Sequence, residues 1–351
     1  MKQLAKIAAC GSAVSMLSIM GASLSTGTAS AIALHPEGYL QAAAAAPPIV
    51  LPQPAAGSHY TIAYIPGCTC DPYFATETAG FLAAAKQVGI STIVQGPADF
   101  NPTQQTTVLE AVVQKHPSAI VINPTNLTAM VAPINAAIAA GIPVMTTGNF
   151  VDTTKIFTAV AADSYVGGEV AAKALEKWIP NGGQVVYMDI NPGVTSLSEH
   201  EQGFDKIMRA NKKFTILPTL YANENSATQA ADIIEGEITA HPKLAGVFAS
   251  NVITAEGVAN GIVGMSEAGK IKVVGYDAST QEVAALQNHS LTGLISQSPY
   301  TLGYMDIANS IKYLNGNHNL PKMQLLQPIL IDLANLNQPN IQKAIYHATP
   351  Y

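Results

Sequence analysis

Charge is scarce in this chain, and arginine is almost absent. Asp, Glu, Lys and Arg make up 11% of its 351 residues, against roughly 25% in ordinary soluble domains. Arg209 is the one arginine. A function that needs several planar guanidinium clamps on carboxylates or phosphates is therefore excluded. The 17 basic and 23 acidic side chains leave a net charge of −6. That balance argues against nucleic acid, whose binding needs a clustered basic surface. Catalytic signatures are missing too. There is no G-x-S-x-G elbow, Walker A loop, H-E-x-x-H or G-x-G-x-x-G, and no motif pairs a nucleophile with a base. The chain reads as a non-enzyme without cofactor or metal.

The first residues read as an address. Lys2 and Lys6 precede an uncharged stretch to about Ala33, apolar at its centre and closing on two A-x-A patterns, Ala29-Ser30-Ala31 and Ala31-Ile32-Ala33. This is the pattern of a cleaved secretory signal, assigned to residues 1–33. Its Gly and Ser content disfavours a membrane anchor. Lys6 lies too close to Cys10 for a lipoprotein box. Residues 34–57 form an Ala/Pro tract without a hydrophobic period, expected to be a disordered or extended leader. Cleavage would leave Cys68 and Cys70 in a C-x-C. In an oxidising compartment the pair either closes a small ring or stays as two thiols. No further Cys or His lies near enough in sequence to complete a metal site.

From Tyr60 onward, short apolar runs alternate with helical stretches. Thr61–Ile65, Thr92–Val94, Ala119–Ile122 and Pro143–Met145 read as strands, with helices between them. The pattern recurs with strands at Gln184–Met188, Phe214–Leu217, Gly246–Ala249 and Lys272–Val274. Continuous apolar strands are those of a parallel sheet covered on both faces. The alternation predicts a doubly wound α/β fold. An internal echo points to two similar halves. His116-Pro117 leads through AIVINPTN to Gly148-Asn149, and His241-Pro242 leads through AGVFASN to Gly275-Tyr276-Asp277.

Ligands of such sheets bind beyond the strand carboxyl ends, so the polar residues there are the candidates. Asp71 is placed to cap a helix that has Pro72 at its first position, or to accept bonds from ligand hydroxyls. Tyr73 and Phe74 belong either to the core or to a face that stacks on a polyol. Asn123 and Asn251 end equivalent strands. Asp277 follows Gly275, and Gln297 ends Leu294-Ile295-Ser296. Asp163 is read as a helix cap, and His116 and His241 as turn residues. His200, between Glu199 and Glu201, is read as part of a solvated helix face in preference to a ligand contact. Arg209 is read as a solvated helix end.

The segments TIAYIPGCTCDPYF, AIVINPTN, AGIPV, ADSYVGG, HPKLAGVFASN, VVGYDAST and LISQSPYTLG, in that order, resemble the periplasmic sugar-binding proteins of ABC importers, of the ribose-binding type. The resemblance covers about His59 to Leu336. It implies a type I periplasmic binding protein fold, with two Rossmann-like, doubly wound parallel-sheet lobes joined by hinge crossings. The lobes would comprise residues 58–162 plus 296–323 and residues 163–295 plus 324–351. It also implies that Asp71, Tyr73, Phe74, Asn123, Asn251, Asp277 and Gln297 contact the ligand. Three positions depart from the pattern. Gly148-Asn149 stands where the family has Asp-Arg, Ser198 replaces a second sugar-binding arginine, and an aromatic platform is replaced near Glu224. Asn149, Ser198 and Glu224 therefore join the candidate site. The function implied is capture of a small neutral sugar or sugar alcohol by a periplasmic monomer that serves an ABC permease. The alternatives are a ligand sensor for a chemoreceptor or histidine kinase, and a secreted sugar-acting enzyme.

Overall fold

The computed structural model describes residues 49–190, 194–222 and 226–346. The expected signal segment, most of the Ala/Pro tract and Glu224 lie outside the described residues. No described helix is long and apolar enough to cross a membrane.

Two sheets organise the chain. The first is wholly parallel and six-stranded. Its core strands are β1 (Thr61–Ile65), β3 (Ala119–Ile122), β4 (Val144–Thr147) and β5 (Ala159–Ala162). They are flanked by β2 (Ser91–Val94) beside β1 and β12 (Met323–Leu326) beside β5. Every residue of β3, β4 and β5 is buried, as the uninterrupted apolar runs require. Helices α1 (Pro72–Val88) and α9 (Pro299–Leu314) pack on each other, as do α2 (Pro102–Val113) and α3 (Val131–Ala139).

The second sheet has seven strands. Its central path is β11 (Gly293–Ser296), β10 (Lys272–Tyr276), β9 (Leu244–Ala249) and β6 (Gly183–Asp189). The short strands β7 (Phe214–Ile216) and β8 (Leu220–Tyr221) both pair with β6. The edge strand β13 (Ile329–Ile331) lies antiparallel to β11. Here α4 (Ser164–Trp178) packs on α5 (Thr195–Ala210), and α6 (Ala227–Ala240) on α7 (Val252–Gly264). A short α8 (Thr280–Gln287) follows β10.

The chain passes between the sheets three times, after β5, after β11 and after β12. Two of the expected boundaries move. Ser296 still pairs with Ile329 in the second sheet. Residues 324–326, expected in the second lobe, pair with Val160–Ala162 in the first. Backbone pairing, which the sequence pattern does not reveal, sets both boundaries. The first and third crossings are tied together, since the Asp163 N–H donates to the Leu326 carbonyl at 2.8 Å. Asp163 also caps α4 by accepting from the Val166 N–H. Part of the leader is docked. Asn315, at the end of α9, accepts from the Ala55 N–H and donates to the Gln53 carbonyl, both at 2.9 Å.

Candidate ligand-binding cleft

The carboxyl ends of the two sheets face one cavity, lined by residues of both lobes. On the first-lobe side, Asp71 is the N-cap of α1. Its side chain accepts from the Tyr73 N–H at 2.7 Å, and Pro72 follows at the first helical position. This cap fixes the first turn of α1, so that Tyr73 and Phe74 line the cavity. The two rings meet edge to face at 5.1 Å, and Phe74 stacks on Phe100 at 6.0 Å. Cys68 and Cys70 are joined by a disulfide, and both line the wall just before Asp71.

Asn123 follows β3 and is buried. Its side-chain oxygen accepts from the Asn149 amide at 2.9 Å. On the second-lobe side, Asn251 is the N-cap of α7 in a capping box with Thr254. Its side-chain oxygen is committed to the Thr254 N–H at 3.0 Å. Asn251 therefore offers its amide N–H group to a ligand, while the Asn123 side chain also bonds the Glu77 carboxyl group. Asp277 has a φ of 101° and is buried. Its Oδ1 accepts from the Gln297 amide at 2.8 Å and from the Tyr346 hydroxyl at 2.7 Å. Tyr346 in turn accepts from the Gln297 N–H at 3.1 Å.

The structure thus brings Asp71, Tyr73, Phe74, Asn123, Asn149, Asn251, Asp277 and Gln297 to one cavity. Ser198 is corrected: it is exposed, and its hydroxyl donates to the Val194 carbonyl inside the first turn of α5. Because α5 begins at Thr195, the residues aimed inward are Ser196, Leu197 and His200, at helical spacing. His200 is corrected too. It is 1% exposed rather than solvated, and its ring lies 3.6 Å from that of Tyr276. Arg209 sits on the surface with Asp205, away from the cavity.

Two structural contributors carried no motif. Phe100, from the loop before α2, lies against Ile190, Val194 and Leu197 of the second lobe. Tyr346 reaches Asp277 from the far end of the chain.

The electrostatics are those of a buried acidic site without a cation. No Lys or Arg lines the cavity among the described residues. Burial pushes Asp71 up to about 6. Burial, and then repulsion from Asp71, pushes Asp277 up to about 7. Burial drives His200 down to about 3, so its ring is neutral. Four lining side chains carry buried polar atoms without a partner inside the protein: Tyr73 Oη, Asn149 Oδ1, Ser250 Oγ and both ring nitrogens of His200. Among the described residues no cluster of His, Cys, Asp and Glu is arranged to hold a metal ion.

Residues 62–318 match the family model of the periplasmic binding protein domain. The chain is 28% identical over 247 residues to the ribose import binding protein of Bacillus subtilis (strain 168), covering 70% of this chain and 79% of that protein. A solute-binding protein of an ABC transporter from Agrobacterium vitis, bound with α-D-tagatopyranose, superposes with a TM-score of 0.79 at 34% identity. That match covers 82% of this chain and 99% of the other. A carbohydrate transporter solute-binding protein from Agrobacterium radiobacter, in complex with D-arabinose, gives a TM-score of 0.78 at 28% identity over 83% of this chain and 100% of the other.

Proposed function

Since the chain belongs to the periplasmic binding protein family, we propose that it captures a small neutral sugar or sugar alcohol between its lobes and hands it to an ABC permease. It binds its ligand and does not transform it. The observation that carries this reading is the set of unpartnered polar atoms on Tyr73, Asn149, Ser250 and His200 in a cavity without Lys or Arg among the described residues. Each buried polar group left unpaired costs about 1–3 kcal/mol. Ligand hydroxyls, which both donate and accept, relieve that cost. An anion would instead meet Asp71 and Asp277 with no guanidinium to hold it.

In this reading the carboxyl groups of Asp71 and Asp277 and the amides of Asn123, Asn251 and Gln297 take up hydroxyls. Tyr73 and Phe74 cover the C–H face of the ring. Closure around the ligand sets the lobes in the relative position that a permease recognises. Export through a cleaved leader to the periplasm, and action as a monomer, complete the proposal.

The test is a thermal-shift screen of the mature protein, refolded to strip bound solute. The panel contains pentoses, hexoses, hexitols, nucleosides, amino acids and dicarboxylates. A specific ligand present at 100 times its Kd stabilises by about 2.7 kcal/mol. A melting curve moved only by amino acids or dicarboxylates would sink the reading.

A further inference from the structure

We infer that His200 reads one hydroxyl group of the ligand through a ring nitrogen, making it a specificity-determining residue on the second-lobe side of the cleft. The inference rests on the sugar reading above and adds a residue and a chemical demand to it.

Four observations meet at this side chain. His200 lines the cavity and is 1% exposed. Neither ring nitrogen has a partner inside the protein. The ring is held in place by Tyr276 at 3.6 Å and Phe248 at 6.1 Å between ring centres. The backbone beneath it is fixed as well, because the His200 carbonyl lies where a Cβ on Gly168 of α4 would come within 2.0 Å. A side chain clamped this firmly, with its polar atoms unsatisfied, is pre-positioned for a polar group that arrives with the ligand.

The chemistry of that group follows from the ring. A neutral imidazole carries one N–H donor and one bare nitrogen acceptor. It offers no charge to a carboxylate or phosphate. The second-lobe wall also carries Ile190, Val194 and Leu197, an apolar cluster with Phe100, together with the hydroxyls of Ser196 and Ser250. None of these groups brings a charge. The group that fits is an alcohol hydroxyl of a sugar or alditol. A deoxy sugar at that position would leave the imidazole buried and unpaired. Sites built to bond a hydroxyl discriminate strongly against the analogue that lacks it.

The experiment uses the mature protein and the neutral monosaccharide or hexitol that stabilises it most in the screen, with that compound's complete monodeoxy series. Dissociation constants are measured by calorimetry for the wild type, His200→Phe and His200→Gln. In the wild type, removing one particular hydroxyl is expected to weaken binding about tenfold or more. In His200→Phe the same deoxy penalty should vanish, while penalties at the other positions persist. His200→Gln keeps one donor and one acceptor and should restore part of the penalty. It also serves as the readout if the Phe variant does not fold. A purely structural role for His200 would weaken every sugar alike. Deoxy penalties that are unchanged at every position in both variants overturn the inference and leave the sugar reading standing. Failure of every neutral sugar and hexitol to bind the wild type overturns both.

Discussion

An added methyl group at Gly148 has no room. The residue has a φ of 67°, and a Cβ there would meet the Asn123 amide nitrogen at 2.2 Å and the Tyr73 hydroxyl at 2.9 Å. A side chain in the left-handed region costs roughly 1–2 kcal/mol by itself. The clash adds to this, because Asn123 is held by Asn149 and cannot retreat freely. Gly148→Ala is therefore expected to lower unfolding free energy by about 1–3 kcal/mol. It should also weaken ligand binding, since two lining side chains must shift. Denaturant titration and calorimetry check both effects. Wild-type values in both would mean that the Asn123–Asn149 pair is looser than its geometry indicates. At the same scale, Asp71→Asn should keep stability near the wild type, because asparagine caps a helix as well as aspartate does. Asp71→Ala should lose about 1 kcal/mol. A stable Ala variant would remove the cap from the account of why α1 begins where it does.

At the scale of elements, glycines set how closely helices approach, and those helices aim the site. A Cβ on Gly203 of α5 would lie 2.0 Å from the Tyr165 carbonyl of α4, which places two backbones in direct contact. Gly203→Ala must separate α4 from α5 and is expected to cost about 1–3 kcal/mol. It should also displace His200, one turn earlier, and so weaken ligand binding. Gly236 is the control: it lies inside α6 with nothing within 4 Å of an added Cβ. Gly236→Ala should stabilise by up to about 1 kcal/mol through helix propensity alone. Equal effects of the two substitutions on thermal unfolding would contradict this account of the α4–α5 contact.

The same elements show what the sequence revealed. Asn123, Asn251 and Asp277 were legible because each lies within two residues of the end of a buried strand, and Asp71 because it closes the loop after β1; such positions open onto the cleft by topology. The capping role of Asp71 was legible from Pro72 and the helix pattern after it, whereas the Asn251 cap of α7 was not read. Ser198 entered the site from the family pattern and His200 was read as solvated from its acidic neighbours, and neither signal says which face of α5 packs inward. A start at Thr195 turns His200 inward and Ser198 outward. Phe100 and Tyr346 could not be read, since each reaches the site from a loop or tail with no period. Nothing local announces that Tyr346 returns to a residue 69 positions earlier.

On the scale of the whole molecule, the low charge content has a thermodynamic consequence, because several of the few acids are buried. Burial pushes Glu77 up to about 7, despite bonds donated by the Tyr64 and Thr147 hydroxyls. Asp306 lies beside it, buried and raised for the same reason, with repulsion from Glu77 added. In the second lobe Asp189 is likewise raised to about 7, mainly by burial. In the cleft Asp71 and Asp277 behave similarly, at about 6 and about 7. The lobes already touch here through Phe100 and through the Phe150 N–H, which donates to Thr195 Oγ1 at 3.1 Å.

All five carboxyl groups shift upward, so the sign is common to them. Between about pH 4 and pH 7 the folded protein holds protons that the unfolded chain, with carboxyl pKa values near 4, releases. Stability is then fully present below the unfolded values and is lost as the pH rises through the folded ones. Each such group contributes at most about 1.4 kcal/mol per pH unit. The ligand-free protein is therefore expected to melt at a lower temperature at pH 8 than at pH 5, the reverse of acid-labile proteins held by ionised salt bridges. Glu77→Gln should flatten part of that slope. It mimics the protonated carboxyl group, with one oxygen to accept from one of the Tyr64 and Thr147 hydroxyls and an N–H group facing the other, but has no proton to lose. Asp277→Asn should flatten a separate part, one that belongs to the cleft and so responds to ligand. Melting curves from pH 4.5 to 8 for the wild type and both variants decide the matter. A midpoint that rises with pH across that window would show that these carboxyl groups are ionised and paired in the folded protein, and that its scarcity of charge does not extend to its interior.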